Sequence, residues 1–257
     1  MKISVLGRFE LTGPRGTVRV TARRHQIVLA TLVWHANQVV PIESLIDALW
    51  GAAPPDTARS QVHICVSGIR KRLARGGLHQ LVDTEPPGYL ARVDASELDL
   101  HAFDDFVARG RALMADGRWD EASRCLADAL SLWRGEPFAG MDSDRIRPLA
   151  VQLDERRITT SEEYFTLQNR LGRSADVIGD LMTLVEQHPF RERLRGELMV
   201  ALCRTGRRME ALREYRDTRA LFVRELGVEP SRELQRMEQD ILTGGVLDYR
   251  PAVTAPV

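Results

Sequence analysis

Residues 56–75 decide the fold of the front half of the chain, and they read DTARSQVHICVSGIRKRLAR. Asp56 or Thr57 is expected to cap a helix that runs to about Arg75. At about 100° per residue, one face of this helix is a narrow apolar stripe: Val62, Val66, Ile69 and Leu73. The opposite face and its flanks are small, polar or basic: Ser60, Ile64, Ser67, Lys71, Gln61, Arg72, His63 and Arg70. Such a helix suits insertion into the major groove of DNA.

Two residues of the outer face depart from a plain polar pattern. Ile64 is apolar and β-branched, and either contact with a thymine methyl group or packing on a neighbouring loop would account for it equally well. Gly68 is expected to leave a gap near the same face.

The elements around this helix complete a small domain. Strands are predicted at 3–6, 9–11, 17–20, 81–84 and 89–93. Two earlier helices are predicted at 23–35, where Asn37 is a left-handed stop, and at 42–50, where Gly51 ends the helix. The turn at 85–88, EPPG, joins the last two strands into a hairpin. A sheet, three helices and a hairpin predict a winged helix-turn-helix with the hairpin as its wing.

Charge separates the two halves although the whole chain has a net charge of zero. Residues 1–93 hold 12 Lys+Arg and 6 Asp+Glu, which gives +6, and residues 94–257 hold 24 and 30, which gives −6. A basic front half favours nucleic acid as its partner, whereas an acidic back half favours proteins.

The back half is helical and repetitive. Gly172 and Gly206 each begin the same framework, and their separation of 34 residues is the tetratricopeptide period. An earlier copy begins at Gly117, with Gly110 as the small residue of its first helix, and 134–145 is an inserted segment. The fold class is therefore mainly α with a small β component, in which an all-α tetratricopeptide-like repeat domain follows the winged helix. A plain helical bundle is the alternative.

We divide the chain into a DNA-binding domain at 1–93, a linker at 94–100, a repeat domain at 101–245 and a flexible tail at 246–257. No apolar stretch approaches the length of a membrane span, and the three separated cysteines give no disulfide framework, so we expect a cytoplasmic protein. The sequence carries no phosphate loop, no Rossmann fingerprint and no metal spacing among its six histidines. The adjacent carboxylates Asp104-Asp105 and Glu162-Glu163 are predicted to lie on solvated faces. We expect no catalysis, no metal and no cofactor.

Several motifs resemble the Streptomyces antibiotic regulatory protein family. In the front half they are VVPIESLIDALWG at 39–51, PP at 54–55, VSGIRKRL at 66–73 and GYL at 88–90. In the back half LDLHAF at 98–103, ALSLWRG at 129–135, HPFRERL at 188–194 and ELGVEP at 225–230 resemble the bacterial transcriptional activation domain. The match runs from the first strand to about Leu242.

The resemblance implies an OmpR-type winged helix whose third helix enters the major groove and whose wing touches the adjacent backbone. The implied DNA-binding residues are Arg59, Ser60, Gln61, His63, Ile64, Ser67, Arg70, Lys71, Arg72, Gly88 and Tyr89. The implied polymerase-contact loop is Gly51, Ala52, Ala53, Pro54 and Pro55.

The function implied is that of a transcriptional activator. It would bind direct repeats in double-stranded promoter DNA near the −35 element as a head-to-tail homodimer, and it would recruit RNA polymerase through contacts that include the sigma factor. Its expected target is a secondary-metabolite (antibiotic) biosynthetic gene cluster. Two alternatives stay open: a helical-repeat protein–protein adaptor, or an N-terminal fragment of a larger regulator with a downstream NTPase domain.

Overall fold

The computed structural model describes residues 1–141 and 143–244, and these divide into two compact units. The first unit holds residues 1–109 and 127–158, and the second holds 110–126 and the residues from Thr159 onward. The tail predicted at 246–257 lies outside the described residues.

The first unit begins with a three-stranded antiparallel sheet. Its strands are β1 (Lys2–Ser4), β2 (Glu10–Gly13) and β3 (Gly16–Val18), in that spatial order. Leu11 pairs with Ile3 on one side and with Val18 on the other, and all three side chains are buried. This row of apolar side chains across the sheet faces the core of the unit, as the alternation of the sequence requires.

Three helices pack on one another after this sheet: α1 (Arg23–Trp34), α2 (Ile42–Trp50) and α3 (Ala58–Arg75). The chain leaves α1 through Asn37, which has the left-handed backbone (φ 63°) predicted for a stop. Gly51 (φ 62°) ends α2 as predicted, in a conformation that disfavours other residues.

A second sheet contains the predicted hairpin. Its strands are β4 (Val39–Pro41), β5 (Val82–Glu85) and β6 (Gly88–Ala91), in the antiparallel order β4–β6–β5. Strand β4, between α1 and α2, was not predicted, and it makes β6 the central strand. The three helices with the β5–β6 hairpin form the winged helix-turn-helix that the order of elements predicted.

Residues beyond the winged helix complete the core of the first unit. A short 3₁₀ turn (Ala95–Glu97) leads into α4 (Asp99–Ala115), and Leu98, Leu100 and Phe103 join the same buried cluster as the winged helix. The segment predicted as a linker at 94–100 thus supplies core residues. The domain boundary at residue 93 stays a prediction.

Two further contacts bind the first unit together. The buried Asp99 carboxylate accepts hydrogen bonds from the amides of Val5 (2.9 Å) and Leu6 (3.3 Å), and it pairs with Arg134. The inserted segment also bonds to the chain just after β1. The Phe138 amide donates to the Val5 carbonyl at 3.0 Å, and the Arg134 amide donates to the Leu6 carbonyl at 2.9 Å. Residues about 130 positions apart in the sequence are therefore joined through backbone groups.

The remaining helices follow one another in pairs. They are α5 (Trp119–Ser131), α6 (Arg147–Arg170), α7 (Ser174–Gln187), α8 (Glu192–Arg204), α9 (Arg208–Leu226) and α10 (Arg232–Thr243). The turns inside the pairs α4–α5, α6–α7 and α8–α9 contain Gly117, Gly172 and Gly206, with φ of 74°, 76° and 79°. The same left-handed turn recurs three times, which is the tetratricopeptide-like repeat that the glycine spacing predicted.

One prediction about the second unit is wrong. Glu162 was expected on a solvated face, but it is only 5% exposed, and burial raises its pKa to about 7. The neighbouring carboxylates of Glu197 and Glu163 also raise this pKa, whereas Arg193, whose guanidinium lies 3.9 Å away, lowers it. The prediction failed because the sequence shows only that adjacent carboxylates on a helix point in different directions, and it does not show which helix packs over α6.

Candidate nucleic-acid interface

Helix α3 has the phase that the sequence predicted. Its apolar stripe, Val62, Val66, Ile69 and Leu73, is buried in the core of the first unit. Thr57 is the N-cap residue, but its side chain makes no capping bond. Its hydroxyl instead accepts a hydrogen bond from the Gln61 side-chain amide at 2.9 Å.

The outward face of α3 is a row of four exposed side chains, which we call the outer stripe: Ser60, Ile64, Ser67 and Lys71. Their spacing of four, three and four residues keeps them in line over about 16 Å of helix. Ile64 is 71% exposed, so packing on a neighbouring loop does not explain it. No side-chain partner is found for the outer stripe in the part of the chain that the structure describes.

Positive charge gathers toward the end of α3. The helix contains no acidic residue, and four of its five basic residues, Arg70, Lys71, Arg72 and Arg75, lie in its last six positions. This end of the helix is therefore suited to an anionic partner.

The gap predicted at Gly68 is filled. A Cβ at this position would lie 2.7 Å from the ring of His25 on α1, so the glycine allows close packing of α1 on α3. Burial and the charge of Arg72 lower the pKa of His25. His25 is thus a packing residue that adds no positive charge here at neutral pH.

The first turns of α3 are held by side chains from α1 and α2. Arg24 donates to the Gln61 side-chain oxygen at 2.7 Å, and its guanidinium lies 5.2 Å from the centre of the Trp50 ring. Arg59 forms an ion pair with Glu43. Gln61 and Arg59, both predicted to bind DNA, therefore have partners within the chain, in contacts that lie at the surface.

The other flank of α3 faces the hairpin. Arg70 donates to the Val82 carbonyl and to the Thr84 hydroxyl, both at 2.9 Å. His63 Nδ1 lies 2.5 Å from the Tyr89 hydroxyl oxygen. Burial raises the pKa of Tyr89, and the charge of Arg70 opposes that rise.

The two predicted hairpin residues are buried in the sheet. Tyr89 is 4% exposed on the central strand β6. Gly88 lies where β6 passes against β4, and a Cβ there would overlap the Val40 carbonyl. Neither residue is therefore exposed on the surface beside the outer stripe.

The predicted polymerase-contact loop lies between α2 and α3. Ala52, Ala53, Pro54 and Pro55 are exposed, whereas Gly51 is half-buried. The Arg145 guanidinium occupies the space that a Cβ at Gly51 would need. The exposed part of the loop is therefore four small or rigid residues long.

Sequence reasoning missed the residues that hold α3 from outside, Arg24, Glu43 and Thr84, and it missed Arg145, which lies against Gly51 of the loop before α3. Each lies at least 12 positions from its partner, so no helical or strand periodicity connects the two. One local feature of the sequence indicated that α1 contributes such a residue. Arg23 and Arg24 are adjacent at its start, and its first turn holds no acidic residue.

Three further observations concern metal binding, the Cys65 thiol and membrane spanning. Within residues 1–141 and 143–244, no cluster of His, Cys, Asp or Glu side chains is arranged to hold a metal ion. Burial raises the pKa of the Cys65 thiol on α3 to about 11, so it stays protonated at neutral pH. Among the described helices, none is both long and apolar enough to cross a membrane.

Comparison with family models finds two matches along the chain. Residues 16–90 match the model described as transcriptional regulatory protein, C terminal, and residues 98–242 match the bacterial transcriptional activator domain. The first match contains the winged helix from β3 to β6, and the second covers more than half of the chain.

Three similar proteins differ in how much of their length this chain spans. The regulatory protein DnrI of Streptomyces peucetius is 33% identical over 94% of this chain and 92% of its own length. AfsR of Streptomyces griseus is 36% identical over 95% of this chain but only 25% of its own length. A solved structure of Mycobacterium tuberculosis EmbR, in complex with a low-affinity phosphopeptide, has a TM-score of 0.89 at 31% identity, over 96% of this chain and 66% of that one.

Proposed function

The chain belongs to the Streptomyces antibiotic regulatory protein family of transcriptional activators, and from that premise we propose that it reads promoter DNA with the outer stripe of α3. The sites proposed are direct repeats near the −35 element, each bound by one copy of a head-to-tail homodimer. The gene set proposed is a secondary-metabolite cluster, which the name of the family suggests.

The observation that carries this proposal is the outer stripe itself. Four side chains in one line are exposed and have no partner among the described residues, while Gln61 on one flank and His63 and Arg70 on the other bond to other parts of the protein. Within this stripe, Ser60 and Ser67 can donate or accept hydrogen bonds at base edges, and Ile64 can contact a thymine methyl group. Lys71, near the basic end, is the cation most available to a phosphate.

The decisive experiment measures DNA binding as salt is varied. A duplex selected from a random-sequence library by the full chain is the probe, and Lys71→Ala is the variant. If Lys71 contacts a phosphate, affinity falls for all sequences alike, and the salt slope drops by about one. The matched control is Lys2→Ala, because Lys2 is the only other lysine and lies on the first sheet.

Base reading needs a separate variant. Ile64→Ala is expected to remove the preference for thymine at one position of the selected duplex and to leave the salt slope unchanged. The exposed Val223 on α9 provides the control Val223→Ala. An adaptor that binds protein would show no DNA complex even at low salt, and the proposal would then be wrong.

We propose further that the loop at 51–55 contacts RNA polymerase, including its sigma factor. Four exposed residues, two of them prolines with restricted backbones, present a fairly fixed surface at low entropic cost. The test is the double variant Pro54→Gly/Pro55→Gly in transcription with purified polymerase, at DNA occupancy matched by footprinting. Activation is expected to fall while occupancy is retained. Pro14→Gly, in the exposed turn of the first sheet, is the control, and full activation by the double variant would contradict the assignment.

The dimer proposal is tested by stoichiometry. One copy is expected on a duplex with a single repeat and two on a duplex with both, and the second copy should bind more tightly than the first. Equal affinity for the two repeats at every spacing would exclude a head-to-tail contact on DNA.

A further inference from the structure

We propose that Arg70, His63 and Tyr89 are positioning residues, which fix the angle between α3 and the hairpin, and are not themselves DNA contacts. The proposal rests on the DNA-binding function proposed above. It concerns the three residues that link the wing to the helix carrying the outer stripe.

Arg70 is bound to both strands of the hairpin. Its Nε donates to the Val82 carbonyl and its Nη2 to the Thr84 hydroxyl, each at 2.9 Å, and both acceptors are on β5. The guanidinium carbon also lies 5.7 Å from the centre of the Tyr89 ring on β6. Thr84 and Tyr89 are register partners across the hairpin, so one guanidinium group spans the two strands.

His63 provides a second point of attachment. Its Nδ1 lies 2.5 Å from the Tyr89 hydroxyl oxygen, and the two rings meet edge to face with centroids 6.1 Å apart. His63 precedes Arg70 by seven residues, which is two turns and about 10 Å along the same face of α3. Two separated attachments fix the angle between helix and hairpin, which a single contact would leave free.

The hairpin at 82–91 has no cationic side chain for contact with phosphate. Residues 82–91 contain Asp83 and Glu85 but no lysine or arginine. The next residue, Arg92, is paired with both acids. Any contact of this hairpin with phosphate would therefore use neutral donors, such as backbone N–H groups, and not a cation.

Engagement of Arg70 also decides which cation faces DNA. To reach a base or a phosphate, Arg70 would have to give up two hydrogen bonds and its position over the Tyr89 ring. Lys71 is the next residue, is exposed and has no side-chain partner among the described residues. The structure therefore assigns DNA contact to Lys71 and support of the helix to Arg70.

The test compares Arg70→Ala with Thr84→Val in the full chain, on a duplex selected from a random-sequence library. Thr84 is exposed on β5, so valine keeps the shape and removes only the acceptor of the Arg70 bond. Thr12→Val, on an exposed position of β2, is the matched control. Thermal melts establish that each variant is folded.

We expect Thr84→Val to weaken binding roughly threefold and Arg70→Ala roughly tenfold. The double variant should bind no more weakly than Arg70→Ala alone, because both changes remove the same contact. The salt slope should stay unchanged, and discrimination should fall evenly over all positions of the duplex. Tyr89→Phe, which keeps the ring, should weaken binding roughly threefold in the same uniform way.

Other results would overturn the inference. If Thr84→Val binds as the unaltered chain does while Arg70→Ala lowers the salt slope by about one, Arg70 contacts phosphate. If Arg70→Ala removes the preference at one base pair only, or if the two losses add, Arg70 acts independently of the hairpin. Failure of the unaltered chain to bind any duplex would overturn the proposed function, and this inference with it.

Discussion

The contacts within the first compact unit differ in kind from those within the second. In the first unit the Asp99 carboxylate binds the amides of Val5 and Leu6, more than 90 positions earlier in the chain. In the second unit the later helices pack on the next along the chain: α7 on α8, α8 on α9, and α9 on α10. Local pairing leaves a sequence period that can be read directly, whereas long-range pairing does not.

Buried carboxylates sharpen the same comparison. Asp99 in the first unit has two amide donors and Arg134 as partners. In the second unit Glu197 accepts from Thr166 at 2.5 Å and from Asn169 at 2.7 Å, but Glu162 Oε1 is buried without a hydrogen-bond partner. The buried carboxylate of Asp99 thus links distant parts of the first unit, whereas burial of the Glu162 carboxylate lowers the stability of the second unit.

Truncation after Val93 should have the largest effect. The fragment 1–93 lacks Leu98, Asp99 and Phe103 of the first unit's core, and it also lacks the inserted segment, whose amides bond to the carbonyls just after β1. We expect it to show no cooperative thermal transition, whereas a fragment of residues 1–158, which contains the whole first unit, should melt cooperatively. A sharp transition for 1–93 would establish the domain boundary predicted at that residue.

Asp99→Ala should destabilise the first unit by about 3 kcal/mol, because two buried amides lose their acceptor. Hydrogen exchange at Val5 and Leu6 in the full chain is the measurement, and faster exchange at both is expected. The exposed Asp105 on the same helix provides the control Asp105→Ala, which should change neither rate. Unchanged protection in Asp99→Ala would mean that the Asp99 carboxylate does not hold Val5 and Leu6 in place.

Glu162→Gln should stabilise the second unit in a pH-dependent way. The pKa of Glu162 rises from 4.5 to about 7 on folding. Below pH 4.5 the side chain is protonated in both states and burial of its charge costs no stability, whereas the full cost is reached as the pH rises through 7. Near pH 8 the variant should therefore be more stable by about 2 kcal/mol, with little difference near pH 5. Urea unfolding at both pH values measures this.

Glu163→Gln is the control for that experiment. Glu163 is adjacent but pairs with Arg111 at 3.0 Å, so its substitution should not become more favourable as the pH rises. An equal gain for Glu162→Gln at both pH values would show that burial of the charge is not the cause.

Two glycines in the second unit should respond in opposite directions, with the smallest effects. Gly172 has a φ of 76°, so Gly172→Ala should cost about 1 kcal/mol. Gly179 lies within α7 with open space around its Cα, so Gly179→Ala should raise the free energy of unfolding by about 0.5 to 1 kcal/mol. Opposite shifts in melting temperature are expected, and shifts of the same sign would contradict the repeated left-handed turn.

The sequence by itself determined the elements whose pattern repeats over a few residues. The phase of α3, with Val66 inside and Ile64 outside, followed from 3.6 residues per turn. The turns at Gly117, Gly172 and Gly206 followed from their positions relative to helical runs, since glycine adopts a left-handed backbone at little cost. Short-range geometry is the same in every protein, so these features could be predicted without the fold.

Only the tertiary structure decided the partners of the polar side chains. That Arg70 binds Val82 and Thr84, that Gln61 binds Arg24, and that Asp99 binds the first strand depends on elements brought together from distant parts of the chain. A side chain on a helix wheel has a direction but no known neighbour, so an arginine held by a wing and an arginine open to DNA look alike in the sequence. The physical difference between them is the hydrogen bonds that packing makes available.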